Sequence, residues 1–196
     1  METEKLKESR ATPTTPTPVV AKSGGKCIVI DVALRLLLLA ACIVAVVVMG
    51  TSKQTAMVPV PGVPGLTVPY PAKFSNSPAF IYFIVALSVA GLYSVITLIT
   101  SLSFISKPNI PAKIFLILAV HDVLILGIVA AATGTAGGVA YVGLKGNSHV
   151  NWGKICNVYD KFCRYLGTSI FFSLFAAVLL VVLVILNALS LYKRIP

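Results

Sequence analysis

The chain has 196 residues, of which 57% are hydrophobic and 11% charged, and its mean hydropathy is +0.94. That composition lies outside the range of soluble domains and excludes a soluble globule. The formal charge of +10 comes from 16 basic and 6 acidic residues scattered along the chain without an RNA- or DNA-binding motif, so no nucleic-acid partner is expected and the charge reads as membrane topology.

Residues 1–29 read as a disordered tail. The first 26 carry five basic and three acidic side chains together with Thr12-Pro13, Thr15-Pro16 and Thr17-Pro18, and hold too little apolar surface to fold alone. Phosphorylation of those threonines would add about −1.5 to −2 charge each, although solubility is the plainer account. With no apolar core in the first 25 residues, a cleavable signal is not expected and the first span acts as an uncleaved anchor. Cys27 stands at the edge of that span, where reversible palmitoylation is conceivable, and Cys42 inside it reads as packing.

Four apolar segments are long enough to cross about 30 Å of hydrocarbon at 1.5 Å per residue. They are placed at 30–50, 79–101, 114–138 and 167–191, with loops 51–78 and 139–166 on one side and a short tail, 192–196. All twelve prolines fall outside these spans, which favours helices over barrel strands. The predicted fold is an all-α membrane protein, a four-helix transmembrane bundle in a lipid bilayer.

Four spans place both termini on one side with nine basic residues, against six on the other: Lys53, Lys73, Lys145, Lys154, Lys161 and Arg164. The bias predicts cytoplasmic N and C termini and two extracellular loops. The first of these contains Pro59, Pro61, Pro64, Pro69, Pro71 and Pro78, which predicts extended polyproline-like chain instead of helix or strand.

In the first span, the apolar run Leu36 to Met49 has 14 residues and covers only about 21 Å as helix. The span must therefore take in Arg35 and Asp31. In the third span, Asp122 lies about 12 Å past Ile114, too deep for a short carboxylate to snorkel. An isolated charge there costs about 2.5–3.5 kcal/mol on insertion scales. Arg35 and Asp122 are therefore expected to form a structural intramembrane ion pair that sets the register of two helices. Alternatively, Arg35 pairs with Asp31 four residues earlier or snorkels, which leaves Asp122 unexplained. His121 lies about 100° round the helix from Asp122, and Asn187 in the fourth span reads as a helix-to-helix hydrogen-bond donor.

Ala130, Gly134 and Gly138 in the third span recur every four residues, as do Ala86, Ala90 and Ser94 in the second. Such stripes let backbones approach closely. They are expected to pack inside the bundle, a dimer seam being the alternative. In the second outer loop, Cys156 and Cys163 face the oxidising side, which predicts a disulfide worth about 2–3 kcal/mol, with two free thiols as the alternative. No nucleophile elbow, phosphate-binding loop, metal-spaced cluster or catalytic carboxylate pair can be assembled, so neither enzyme activity, a cofactor nor a metal is expected.

From about Ile30 to Leu191 the pattern resembles the plant Casparian strip membrane protein-like family, itself similar to MARVEL-type four-span proteins. The carriers are Asp31-Val32-Ala33-Leu34-Arg35-Leu36, Ser77-Pro78-Ala79-Phe80, Asp122 and the loop Trp152 to Cys163. In that family an Arg in the first span and an Asp in the third recur, matching Arg35 and Asp122. The resemblance implies a plasma-membrane scaffold that forms homodimers and heterodimers with related members, with cell-wall or secreted proteins as candidate partners of the outer loops. The acidic, aromatic-rich stretch that the founding Casparian proteins carry in the first outer loop is replaced here by Val58-Pro59-Val60-Pro61-Gly62-Val63-Pro64. That departure limits what the resemblance implies to the fold and the scaffold. Claudins and tetraspanins are less similar, because the paired-Cys and Cys-Cys-Gly patterns are absent. The alternative function is a small transporter or channel subunit in which Asp122, His121 and Asn187 line a polar path.

Overall fold

The computed structural model describes residues 21–60, 62–105 and 112–193, with backbone alone for 21–27, 104, 105 and 112. The Thr-Pro dipeptides and the side chain of Cys27 lie outside the described residues. Four long helices make up the membrane body: α1 (Ala21–Gly50), α2 (Pro78–Ile105), α3 (Ala112–Lys145) and α4 (Asp160–Tyr192). Each is long and apolar enough to cross a membrane.

The helices overrun the expected spans, because a helix already nucleated in hydrocarbon gains one hydrogen bond per added residue. α1 starts at Ala21, inside the segment read as tail. α2 begins on Pro78, whose missing N–H costs nothing in a first turn. α3 runs on to Lys145 and α4 starts at Asp160, so the second loop shrinks to 146–159. A basic residue in the last turn of α3 and an acidic one in the first turn of α4 complement the helix dipoles.

The helices form a square. α1 packs on α2 and α4, and α3 packs on the same two, so α1 lies diagonal to α3. The shared core is apolar, with Leu38, Ala45 and Met49 of α1, Phe83 and Leu87 of α2, Val129 and Ala136 of α3, and Leu180 and Leu183 of α4. Large apolar side chains also cover the outside, among them Leu92, Ile99, Leu124 and Phe171. In water such a surface would aggregate; here it is the face that meets lipid.

The first loop is not the polyproline-like chain expected from its composition. It folds into an antiparallel hairpin, β1 (Lys53–Pro59) and β2 (Thr67–Lys73). The register explains how it tolerates proline. Pro59, Pro69 and Pro71 all occupy one parity of the ladder, facing Thr67, Met57 and Thr55. The Val60 N–H donates to the Leu66 carbonyl at 3.0 Å, which assigns the backbone bonds to the other parity, so no proline sits where an N–H is needed. Gly62 and Gly65 at the tip take φ of +86° and +82°, the left-handed region where glycine is unstrained.

The hairpin lies over one end of the bundle. Ala56, Val58 and Ala72 pack against the core, the Tyr159 hydroxyl donates to the Tyr70 carbonyl at 3.0 Å, and the Phe162 N–H donates to Gln54 Oε1 at 2.8 Å. Beside it, Cys156 and Cys163 form a disulfide with Cα atoms 5.7 Å apart, tying the loop to the first turn of α4. Cys163 is thus helical and not a loop residue. The α3–α4 turn closes on Gly146, whose φ is +71°. A Cβ there would lie 2.7 Å from the Trp152 carbonyl oxygen, a collision only glycine avoids.

Candidate functional site

The notable chemistry lies in the half of the bundle away from the hairpin, where an acidic side chain on α3 receives a donor from every other helix. Asp122 is fully buried, as is Arg35. Arg35 Nη1 donates to Asp122 Oδ1 at 3.4 Å and Nη2 donates to Oδ2 at 3.3 Å, the two-pronged guanidinium–carboxylate arrangement. The Tyr93 hydroxyl of α2 donates to Oδ1 at 2.7 Å. Asn187 Nδ2 of α4 donates to Oδ2 at 2.8 Å. Each carboxylate oxygen thus accepts two hydrogen bonds, which fills the acceptor capacity of the group.

Arg35 serves both carboxylates that the sequence offered it. Its Nε donates to Asp31 Oδ2 at 3.0 Å, and Ser101 Oγ of α2 donates to the same oxygen at 2.7 Å. The other oxygen, Asp31 Oδ1, is the one buried side-chain polar atom among the described residues without a hydrogen-bond partner. Ser94 Oγ donates to the Arg35 backbone carbonyl at 2.8 Å, pinning α2 to α1.

The ion pair joins two helices that are not neighbours. α1 and α3 stand on opposite corners, and the charges meet across the centre of the square. The pair therefore braces a diagonal, while Tyr93 and Asn187 approach along the other. Asn187 acts as the interhelical donor expected of it. His121 is exposed and its Nδ1 lies 2.8 Å from the Ile117 carbonyl of its own helix, so Asp122, His121 and Asn187 do not converge on one path.

Tyr93 and Ser101 carry part of this network without having been anticipated. A lone Tyr in an apolar span reads equally well as lipid-facing. A signal for Ser101 was present, since Ser94, Thr97 and Ser101 continue the small-residue face of α2 at helical spacing and all three are buried.

The two stripes of small residues separate sharply. Ala86, Ala90 and Ser94 are buried, and a Cβ on adjacent Gly91 would sit 3.6 Å from Cys42 Cβ of α1. Ala130, Gly134 and Gly138 are exposed, and a Cβ at either glycine would meet nothing within 4 Å. The expectation that this second stripe packs inside the bundle is therefore corrected. The inward face of α3 is instead Val129, Ala132, Thr133 and Ala136, with Thr133 hydrogen-bonded to Ser173 of α4. A period of four residues repeats along both faces of this Ala- and Gly-rich helix, and the inner face is marked by Asp122 and Thr133, which bond to other helices.

Among the described residues no cluster of His, Cys, Asp or Glu is suited to hold a metal. Residues 24–179 match the family model described as the Casparian strip membrane protein domain. The chain is similar to CASP-like protein Ni6 of Beta vulgaris subsp. maritima, with 62% identity over the whole chain and 97% of that protein. It is similar to CASP-like protein 1D1 of Populus trichocarpa, 62% identical over 85% of each chain. It also matches CASP-like protein 1D2 of Arabidopsis thaliana, 53% identical over 90% of this chain and 88% of that one. No solved structure matches the chain.

Proposed function

The chain belongs to the Casparian strip membrane protein family, and on that premise we propose that it is a multi-pass scaffold of the plasma membrane, assembling with itself and with related family members into platforms that organise wall-facing membrane domains. The observation that carries this reading is the outer face of α3. Ala130, Gly134 and Gly138 line it, the glycines have open space around them, and small residues on a lipid-facing surface favour close approach of a second helix. The polar centre at Asp122 has a structural role, holding the four helices in one arrangement so that this face is presented as a rigid surface. The termini lie in the cytoplasm, and the hairpin and disulfide-bonded turn face outward toward wall or secreted partners.

The test is cross-linking in native membranes. Gly134→Cys in a Cys27→Ser, Cys42→Ala background is expected to give a disulfide-linked dimer, and Gly134→Leu to abolish association measured by native electrophoresis. A chain that stays monomeric throughout, or a Gly134→Leu chain that associates normally, would overturn the proposal.

A further inference from the structure

A groove of about 500 Å³ opens between α1 and α4 at the hairpin end, lined by Val48, Lys161, Arg164, Tyr165 and Thr168. Its volume falls in the range of roughly 300–1,000 Å³ typical of small-molecule sites. The four α4 residues are spaced three, four and seven apart, which places them on one side of the helix. Two of them are cations and none of the five lining residues is acidic. Asp160, four residues before Arg164 and well placed by spacing to neutralise it, forms no ion pair with it, and among the described residues neither Arg164 nor Lys161 has an anionic partner.

The polarity of the groove is graded along α4. The cations stand in the first turns of α4, the Tyr165 and Thr168 hydroxyls follow, and exposed Phe171 and Phe175 continue the same side toward the hydrocarbon. That is the profile of a lipid, with charge at the headgroup level and acyl chain beneath. We propose that the groove between α1 and α4 holds an anionic glycerophospholipid of the leaflet on the hairpin side, its phosphate between Lys161 and Arg164. A zwitterionic lipid is disfavoured, because its ammonium would be brought up beside two cations in a groove whose lining residues include no acid.

The test uses the full chain in nanodiscs of mixed phosphatidylglycerol and phosphatidylcholine, with retained lipid read by native mass spectrometry after transfer to detergent. The unaltered chain is expected to retain phosphatidylglycerol preferentially, by about fivefold for each cation. Lys161→Gln and Arg164→Gln should each remove one such step, and the double change should abolish the preference. Val48→Trp fills the groove without altering charge and should abolish it too, whereas Lys53→Gln with Lys73→Gln, outside the groove, should leave it intact. Equal retention of both lipids by the unaltered chain, or a preference that survives the double change, would overturn the proposal. A preference that survives Val48→Trp would reduce it to diffuse surface charge and so overturn it as well. Displacement of the lipid by millimolar inorganic phosphate would assign the site to free phosphate and overturn the lipid.

Discussion

α2 and α3 carry the same device, a row of small residues every four positions, and turn it in opposite directions. On α2 the row faces α1, where Ala86, Ala90 and Ser94 are buried. On α3 the row faces outward, and a Cβ added at Gly134 or Gly138 would meet nothing within 4 Å. The difference follows the polar groups. Ser94 lies within the small-residue row of α2 and bonds the Arg35 carbonyl, whereas on α3 the inward direction belongs to Asp122 and Thr133, about 20° apart round the helix, from which the row of Ala130, Gly134 and Gly138 has turned away. In lipid, where apolar faces gain little by meeting each other, a few buried polar side chains orient a helix and the small residues then pack wherever they have been placed.

This comparison can be broken most forcefully at Asp122. Asp122→Ala leaves Arg35 buried with only Asp31 as counter-charge and is expected to cost about 3–5 kcal/mol of fold stability, measured by detergent-induced unfolding. A loss below about 1 kcal/mol would mean that small residues alone orient the helices. Next comes Ala90→Leu, which forces bulk into the α1–α2 contact and should cost about 1–3 kcal/mol in the same assay. Ser94→Ala removes one interhelical hydrogen bond, and membrane cycles put such bonds near 0.6 kcal/mol. Smallest is Gly134→Leu, expected to change fold stability by less than about 0.5 kcal/mol while abolishing association between chains. If Gly134→Leu destabilised the monomer as much as Ala90→Leu, the two stripes would not differ as described.

Much of the polar centre was legible in the sequence, because charge in hydrocarbon is costly enough to demand a partner. Arg35 and Asp122 stand out for that reason alone, and Asn187 stands out as an amide whose donors need a partner in the same apolar setting. Tyr93 did not, since its ring satisfies lipid and its hydroxyl gives no sign of direction. Which helices would be neighbours was not legible either: a long guanidinium side chain reaches across the bundle centre as readily as across a helix contact. The hairpin was hidden by its own prolines. Their shared parity, with Pro69 and Pro71 two apart and Pro59 opposite the same side of the ladder, marks strands that keep proline off the bonded positions, but proline frequency alone points to polyproline chain. Orientation of the α3 stripe could not be read because its small residues repeat at one spacing on more than one face.

The convergence of three helices on Asp122 also imposes an order on biogenesis. Arg35, Tyr93 and Asp122 are available to one another as soon as the third helix has been inserted, but Asn187, near the end of the fourth helix, is made 65 residues after Asp122. Until then one oxygen of Asp122 is short of a donor on the side that α4 will fill. A chain terminated before Asn187 keeps that polar defect permanently, within hydrocarbon, where a missing bond is most costly. The fourth helix therefore completes the bonding of the third, and a copy cut short before Asn187 is altered at its centre as well as at the cut.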